Sequence, residues 1–242
     1  MKRTFKIFRG NSEGGEYKDY ETEVDEGMVV LDVIHRLQAD QAPDLAVRWN
    51  CKAGKCGSCA AEVNGKPMLM CLCRLNSLPT DKPVHVAPMK AFPVIKDLVT
   101  DVSWNYEQNK KIKPFTPAEN TVWKMDQRDV DRVQEFRKCI ECFLCQDVCH
   151  VLRTHKKHDN FYGPRFFVRT ASLDMHPLDT VDRVAAIKEE GGLGLCNITK
   201  CCTEVCPEHI RITDNAIIPM KERVADRYYD PIRTFFGKLR GK

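Results

Sequence analysis

The chain has 242 residues, a formal net charge of +4 and 30% charged residues, enough length for two cores of ordinary size. Lysine and arginine are spread without a long basic block or an aromatic-interleaved basic stripe, which argues against nucleic-acid binding. No apolar run nears the roughly 18 residues of a membrane-spanning helix, and Met1-Lys2-Arg3-Thr4-Phe5 lacks the apolar stretch of a secretory leader, so a soluble or peripheral chain in reducing conditions is expected.

Thirteen cysteines are the strongest signal. They are odd in number and lie close to one another in sequence, which in a reducing compartment favours metal ligation over a disulfide framework. They form three groups: Cys51, Cys56, Cys59, Cys71 and Cys73; Cys139, Cys142, Cys145 and Cys149; Cys196, Cys201, Cys202 and Cys206.

In chain order, Thr4–Phe8 and Tyr17–Val24 alternate as strands. Met28–Leu37 carries apolar residues at helical spacing. Ala60–Val63 and Pro67–Leu72 flank Asn64-Gly65, a strong hairpin signal, and Val84–Val86 is a closing strand. Between the hairpin and the opening helix stands Cys51-x4-Cys56-x2-Cys59, with eleven residues between Cys59 and Cys71. This is the plant-type spacing for a [2Fe–2S] cluster. Gly54 and Gly57 allow close backbone approach and positive φ. Cys71 is the preferred fourth ligand. Cys73, two residues on, is the alternative, read otherwise as a small buried residue. A four-cysteine zinc site competes, but zinc knuckles pair two C-x2-C units, and this group has one.

Pro79, Pro83, Pro88 and Pro93 punctuate the next stretch, and a domain boundary is expected between residues 97 and 98. The fold class is then α+β: residues 1–97 as a ferredoxin-type sheet domain, residues 98–242 as helices. Helices are expected over 94–108, 129–138, 164–175, 180–190 and 214–227, with Pro164 in a first turn, Gly191-Gly192 as a stop, and the cysteine runs in the turns between.

Cys139-x2-Cys142-x2-Cys145-x3-Cys149 matches the bacterial ferredoxin run, whose fourth cysteine serves the other cluster of a pair. The partner run is Cys196…Cys202-x3-Cys206-Pro207. Crosswise ligation assigns Cys139, Cys142, Cys145 and Cys206 to a [4Fe–4S] cluster, and Cys149, Cys196 and Cys202 to the other. Thr199 stands where a full run has a cysteine. A hydroxyl is a hard, poor ligand for iron in a sulfide cluster, so three thiolates predict [3Fe–4S]. Cys201 stays open as a fourth ligand that would restore [4Fe–4S].

These runs, with Arg48-Trp49-Asn50-Cys51, Cys56-Gly57-Ser58-Cys59 and Asn64-Gly65, resemble over nearly the whole chain the iron–sulfur subunits of succinate dehydrogenases and fumarate reductases. The resemblance implies a plant-type ferredoxin (β-grasp) domain followed by an all-α, bacterial-ferredoxin-like domain. It implies a FAD-containing flavoprotein that oxidises succinate, and electrons passing singly through [2Fe–2S], [4Fe–4S] and [3Fe–4S] to quinone at a membrane-anchor subunit. No catalytic acid or base is expected on this chain, which would lie peripherally on the cytoplasmic face of a bacterial plasma membrane. Two departures matter. After Cys149 come His150-Val151-Leu152-Arg153-Thr154 rather than the family's Pro-Ser segment and tryptophan, and Asn197 replaces a histidine. The ubiquinone pocket is therefore not carried over, which leaves menaquinone or a site shifted onto the anchor, with haem b allowed there.

The basic stretch Arg153–His158 reads equally as a headgroup, haem-propionate or quinone contact and as a solvated loop. The Phe235–Lys242 tail reads equally as an anchor contact and as a frayed terminus. Trp49, Trp104 and Trp123 are expected in a core or interface. Rival functions are another membrane-linked redox complex, such as a thiol-linked fumarate reductase, and a zinc-stabilised interaction module.

Overall fold

The computed structural model describes residues 1–231; the basic tail from Phe235 lies outside them. The chain forms two compact units. The first comprises Met1–Trp104, Ile140–Val148 and Val205–Pro207, and the second comprises Asn105–Cys139, Cys149–Glu204 and the described residues from Glu208 on.

The first unit is a mixed sheet of β1 (Lys2–Asn11), β2 (Gly14–Glu23), β3 (Ala60–Val63), β4 (Lys66–Leu69), β5 (Val84–Ala87), β6 (Val94–Lys96) and β7 (Val99–Thr100), crossed by helix α1 (Val30–Asp40). The strand order is β4-β3-β5-β1-β6-β7, with β2 along β1. Only β1 and β5 run parallel, Phe5 opposite Val84 and Ile7 opposite Val86. The expected alternation holds on β1, where Arg3, Phe5 and Ile7 are buried. Arg3 is admitted because its guanidinium donates to the Leu75 and Pro79 carbonyls at 2.8 and 2.5 Å. Val30, Leu31, Val33, Ile34 and Leu37 form the buried stripe of α1.

The helix expected over 94–108 begins only at Ser103, in α2 (Ser103–Lys110). The β-branched pairs at Val94-Ile95 and Val99-Thr100 instead form the β6–β7 hairpin. The expected division after residue 97 falls in its turn. Asp97 there has φ 49 and is buried. Its carboxylate accepts the N–H groups of Gly10 at 3.0 Å and Ala46 at 2.9 Å, and Arg9 Nε lies 3.1 Å away. A side chain tied to three distant points holds the strand form where local propensity alone is ambiguous.

The second unit is helical: α3 (Gln127–Gln134) continued by a 3₁₀ turn, α5 (His150–Arg153), α6 (Gly163–Asp174), α7 (Val184–Glu189), α8 (Cys201–Glu204) and α9 (Ile218–Tyr228). The short α4 (Leu144–Asp147) belongs to the first unit. Pro164 does occupy the first turn of α6. The start of α7 is later than expected because the preceding residues are committed elsewhere. Thr180 binds the Thr116 carbonyl through N–H and hydroxyl, and the Arg183 guanidinium donates to the Lys113 and Pro114 carbonyls and pairs with Asp179 at 2.8 Å. Before α9, Ile212–Ile217 winds as a π-helix; Pro219, in the first turn of α9, has no N–H to give. Phe161, Phe167, Leu152, Ala216, Ile217 and Met220 are fully buried here. No helix among the described residues is long and apolar enough to cross a membrane.

Candidate iron–sulfur sites

The three cysteine loops share one backbone device. Each carries two left-handed residues two positions apart: Lys52 and Gly54 (φ 54 and 68), Glu141 and Phe143 (φ 56 and 61), Ile198 and Lys200 (φ 62 and 62). Alternation of this kind turns successive N–H groups toward one side and makes a concavity for an anion, a recurring iron–sulfur device. A β-branched residue at positive φ is a real outlier, so Ile198 stores strain of about 1–3 kcal/mol. Sequence reasoning found only the glycines, because five of these six residues carry side chains that do not advertise the conformation.

In the first loop the cradle is directly visible. Ala53 and Lys55 N–H groups point at Cys51 Sγ, at 3.4 and 3.3 Å. Burial opposes ionisation of Cys56, but the Ser58 hydroxyl and N–H and the groups of Cys51 outweigh it and bring that thiol down to about 6. Burial first, then the neighbouring Cys71 and Cys56, pushes Cys59 up to about 12. Cys56 thus neighbours Cys51 and Cys59, and Cys59 neighbours Cys71. Cys71 lies just past the end of β4, in a turn rather than on the expected strand. Helix α1 fixes it: the free N–H groups of Leu31 and Val30 bind the Met70 and Cys73 carbonyls at 3.2 and 2.9 Å, on either side of Cys71. For Cys73, burial alone raises the thiol to about 11.

The second and third loops are near-copies. Cys139, Glu141, Cys142, Phe143, Leu144 and Cys145 correspond to Cys196, Ile198, Thr199, Lys200, Cys201 and Cys202. The left-handed pair falls at the same places, and α4 starts at Leu144 as α8 starts at Cys201. Thr199 therefore takes the backbone place of Cys142, and Cys201 that of the buried Leu144. Both short helices contain cysteines that were expected in turns.

The unit boundary cuts through both runs. Cys206 falls with Cys142 and Cys145 in the first unit, while Cys149 falls with Cys196, Cys201 and Cys202 in the second; Cys139, the last residue before the boundary, also falls in the second. Within the second unit, burial pushes Cys149 up to about 12 and Cys202 to about 11, with nearby Cys201 adding to both and Cys196 to Cys202. Cys202 Sγ lies 3.4 Å from Thr213 Oγ1, and Thr199 Oγ1 lies 3.3 Å from Cys201 Sγ. Thiols raised this far by burial ionise when a metal replaces the proton. Among the described residues no group of three or more His, Cys, Asp or Glu side chains stands close enough to hold a metal ion by itself, and all thirteen cysteines are free. The thiolate-rich donor sets and the N–H concavities fit clusters.

Two family profiles match these halves: a 2Fe-2S iron-sulfur cluster binding domain over residues 4–107, and a 4Fe-4S dicluster domain over residues 135–210. The succinate dehydrogenase iron-sulfur subunit of Bacillus subtilis is 30% identical over 80% of this chain and 77% of its own length. The chain belongs to the succinate dehydrogenase and fumarate reductase iron–sulfur subunit family. The fumarate reductase iron-sulfur subunit of Mycobacterium tuberculosis is also 30% identical, over 80% of each chain. A chain of the Mycobacterium smegmatis Sdh1 complex in the apo form superposes with a TM-score of 0.92 at 64% identity, covering 96% of this chain and 98% of that one. The chain spans 45% of another relative, an uncharacterized iron-sulfur protein of Methanococcus maripaludis. The family's function is that of an iron–sulfur subunit in oxidoreductase electron transport.

Of the weaker features, Thr154–Lys157 is exposed beyond α5, and the His150 and His155 rings meet edge to face at 6.1 Å. Trp49 and Trp123 are surface residues rather than core; the Trp49 ring lies against His35, 4.6 Å between centroids, with Lys52 Nζ over its face.

Proposed function

We propose that this chain is the electron wire of a succinate:quinone oxidoreductase. It accepts electrons from a FAD-bearing flavoprotein, which holds the dicarboxylate site, and delivers them to quinone at a membrane anchor. Bound clusters supply one-electron transfer; this chain's residues hold them, exclude water and set their spacing. Cys51, Cys56, Cys59 and Cys71 hold [2Fe–2S]; Cys139, Cys142, Cys145 and Cys206 hold [4Fe–4S]; Cys149, Cys196 and Cys202 hold [3Fe–4S]. The sheet order and crossing helix of residues 1–97 are read as a β-grasp ferredoxin, and residues 98–242 as its bacterial-ferredoxin-like successor. The reading places the chain on the cytoplasmic face of the plasma membrane and favours menaquinone, with haem b a feature of the anchor. Fumarate reduction is the second reading, favoured by the fumarate reductase relative.

The observation that carries the ligand assignment is the exchange of cysteines at the unit boundary. Cys206 falls in the same unit as Cys142 and Cys145 and apart from Cys202 of its own run, which supports crosswise ligation for these three, although Cys139 falls in the other unit. The test is EPR and metal analysis of the purified complex carrying Cys206→Ser. The [4Fe–4S] signal is expected to be lost while the [3Fe–4S] signal stays. Loss of only the [3Fe–4S] signal, or stoichiometric zinc in the unmodified complex, refutes the assignment.

A further inference from the structure

Gly57 is at φ 71 inside the first cysteine loop. A Cβ on the neighbouring Gly54 would come nearest to the branched end of Leu72, from 2.9 Å, and that half-exposed side chain can turn away. A Cβ on Gly57 would lie 2.7 Å from Cα, 2.9 Å from Cβ and 3.1 Å from the backbone nitrogen of Cys142. Two of these are main-chain atoms and the third is the side-chain carbon bonded directly to the main chain, so none steps aside by a rotamer change. Cys142 sits between the left-handed Glu141 and Phe143. Its segment is held by the Ala91 N–H donating to the Asp147 carboxylate at 2.9 Å and by the Phe92 and Phe143 rings at 6.4 Å. All of these residues belong to the first unit. Two cluster-bearing loops therefore touch backbone to backbone at this glycine, with no side chain between them. At the corresponding place in the third loop, Thr199 is exposed.

We propose that Gly57 is a positioning residue for electron transfer. Its missing Cβ sets the gap between the loop that carries [2Fe–2S] and the loop that carries [4Fe–4S]. The inference rests on the ligand assignment above. In the step concerned, the reduced two-iron cluster gives up one electron and the oxidised four-iron cluster takes it; no proton or bond moves. Orbital overlap across the gap falls steeply with distance, and the magnetic dipole coupling of the two reduced clusters falls with its cube. A methyl group that moves the contact from 2.7 Å to the 3.4 Å where ordinary packing begins weakens both.

The test compares the intact complex with its Gly57→Ala variant, and with Gly65→Ala as a strain-matched control. Gly65 has φ 78 and open space around its Cβ position. Integrated EPR intensities report whether each cluster is present. Low-temperature relaxation of the [2Fe–2S] signal reports its coupling to reduced [4Fe–4S], and rapid freezing after succinate addition reports when electrons reach [4Fe–4S]. Gly57→Ala is expected to retain both clusters, weaken the coupling and slow electron arrival several-fold, while Gly65→Ala matches the unmodified complex. Unchanged coupling and rate in Gly57→Ala, or equal slowing in Gly65→Ala, overturns the proposal. If Gly57→Ala fails to assemble, the unmodified complex decides. Relaxation of [2Fe–2S] that is indifferent to the reduction of [4Fe–4S] overturns the proposal, and enhanced relaxation supports it. Absence of either signal from the unmodified complex overturns the ligand assignment itself, and the proposal with it.

Discussion

Replacing Thr199 by cysteine adds a thiol where the third loop already has the backbone of a complete ferredoxin run. Ile198 and Lys200 repeat the left-handed pair that brackets Cys142, and α8 begins at the same offset as α4. The new sulfur therefore starts from the place that Cys142 occupies in its own loop. Thr199 is exposed and close in size to cysteine, so the fold should change in stability by no more than about 0.5 kcal/mol. Iron should rise from about nine to about ten atoms per chain, because the fourth thiolate holds the iron that [3Fe–4S] lacks. Net charge and burial together set a cluster's potential. The converted cluster should be harder to reduce, so quinone reduction slows while flavin reduction by succinate stays normal. The assay is EPR of the oxidised complex with metal analysis: [3Fe–4S] is then paramagnetic and [4Fe–4S] in its usual state is silent. A full [3Fe–4S] signal with unchanged iron in Thr199→Cys refutes the correspondence between the two loops. Absence of that signal from the unmodified protein means that Cys201 already fills the corner.

Cys201→Ala should keep the [3Fe–4S] signal, since Cys201 takes the place of Leu144, whereas Cys202→Ala should abolish it; the reverse pattern of EPR intensities refutes the alignment. Asp97→Ala should destabilise the first unit by about 1–3 kcal/mol, because it leaves the Gly10 and Ala46 N–H groups without their acceptor, while Arg9 keeps Asp44 and Tyr20 as partners. Asp97→Asn, which keeps an acceptor, should cost less. Thermal unfolding followed by loss of the [2Fe–2S] absorbance measures both, and equal midpoints for Asp97→Ala and the unmodified complex refute the clamp.

The cysteine spacings determine the chemistry by themselves, because cluster ligation demands particular residue types at particular intervals along a loop. The Asn64-Gly65 turn, the apolar stripe of α1 and the alternation of β1 are equally local, set by φ preference and by the periods of helix and strand, and they were legible. What sequence could not carry are contacts made between distant residues. Val94–Thr100 has a composition compatible with either form, and Asp97 makes it a hairpin by binding Gly10 and Ala46. Helix α7 starts late because Thr180 and Arg183 are engaged by the strap at Lys113–Thr116. Ile198, Lys200, Glu141 and Phe143 take left-handed backbone that their side chains disfavour, which only a packed loop can impose. Gly57 reads in sequence as room for a cluster. Tertiary structure gives it a different neighbour, the main chain of Cys142, because a missing Cβ records only that something comes close, and the fold decides what.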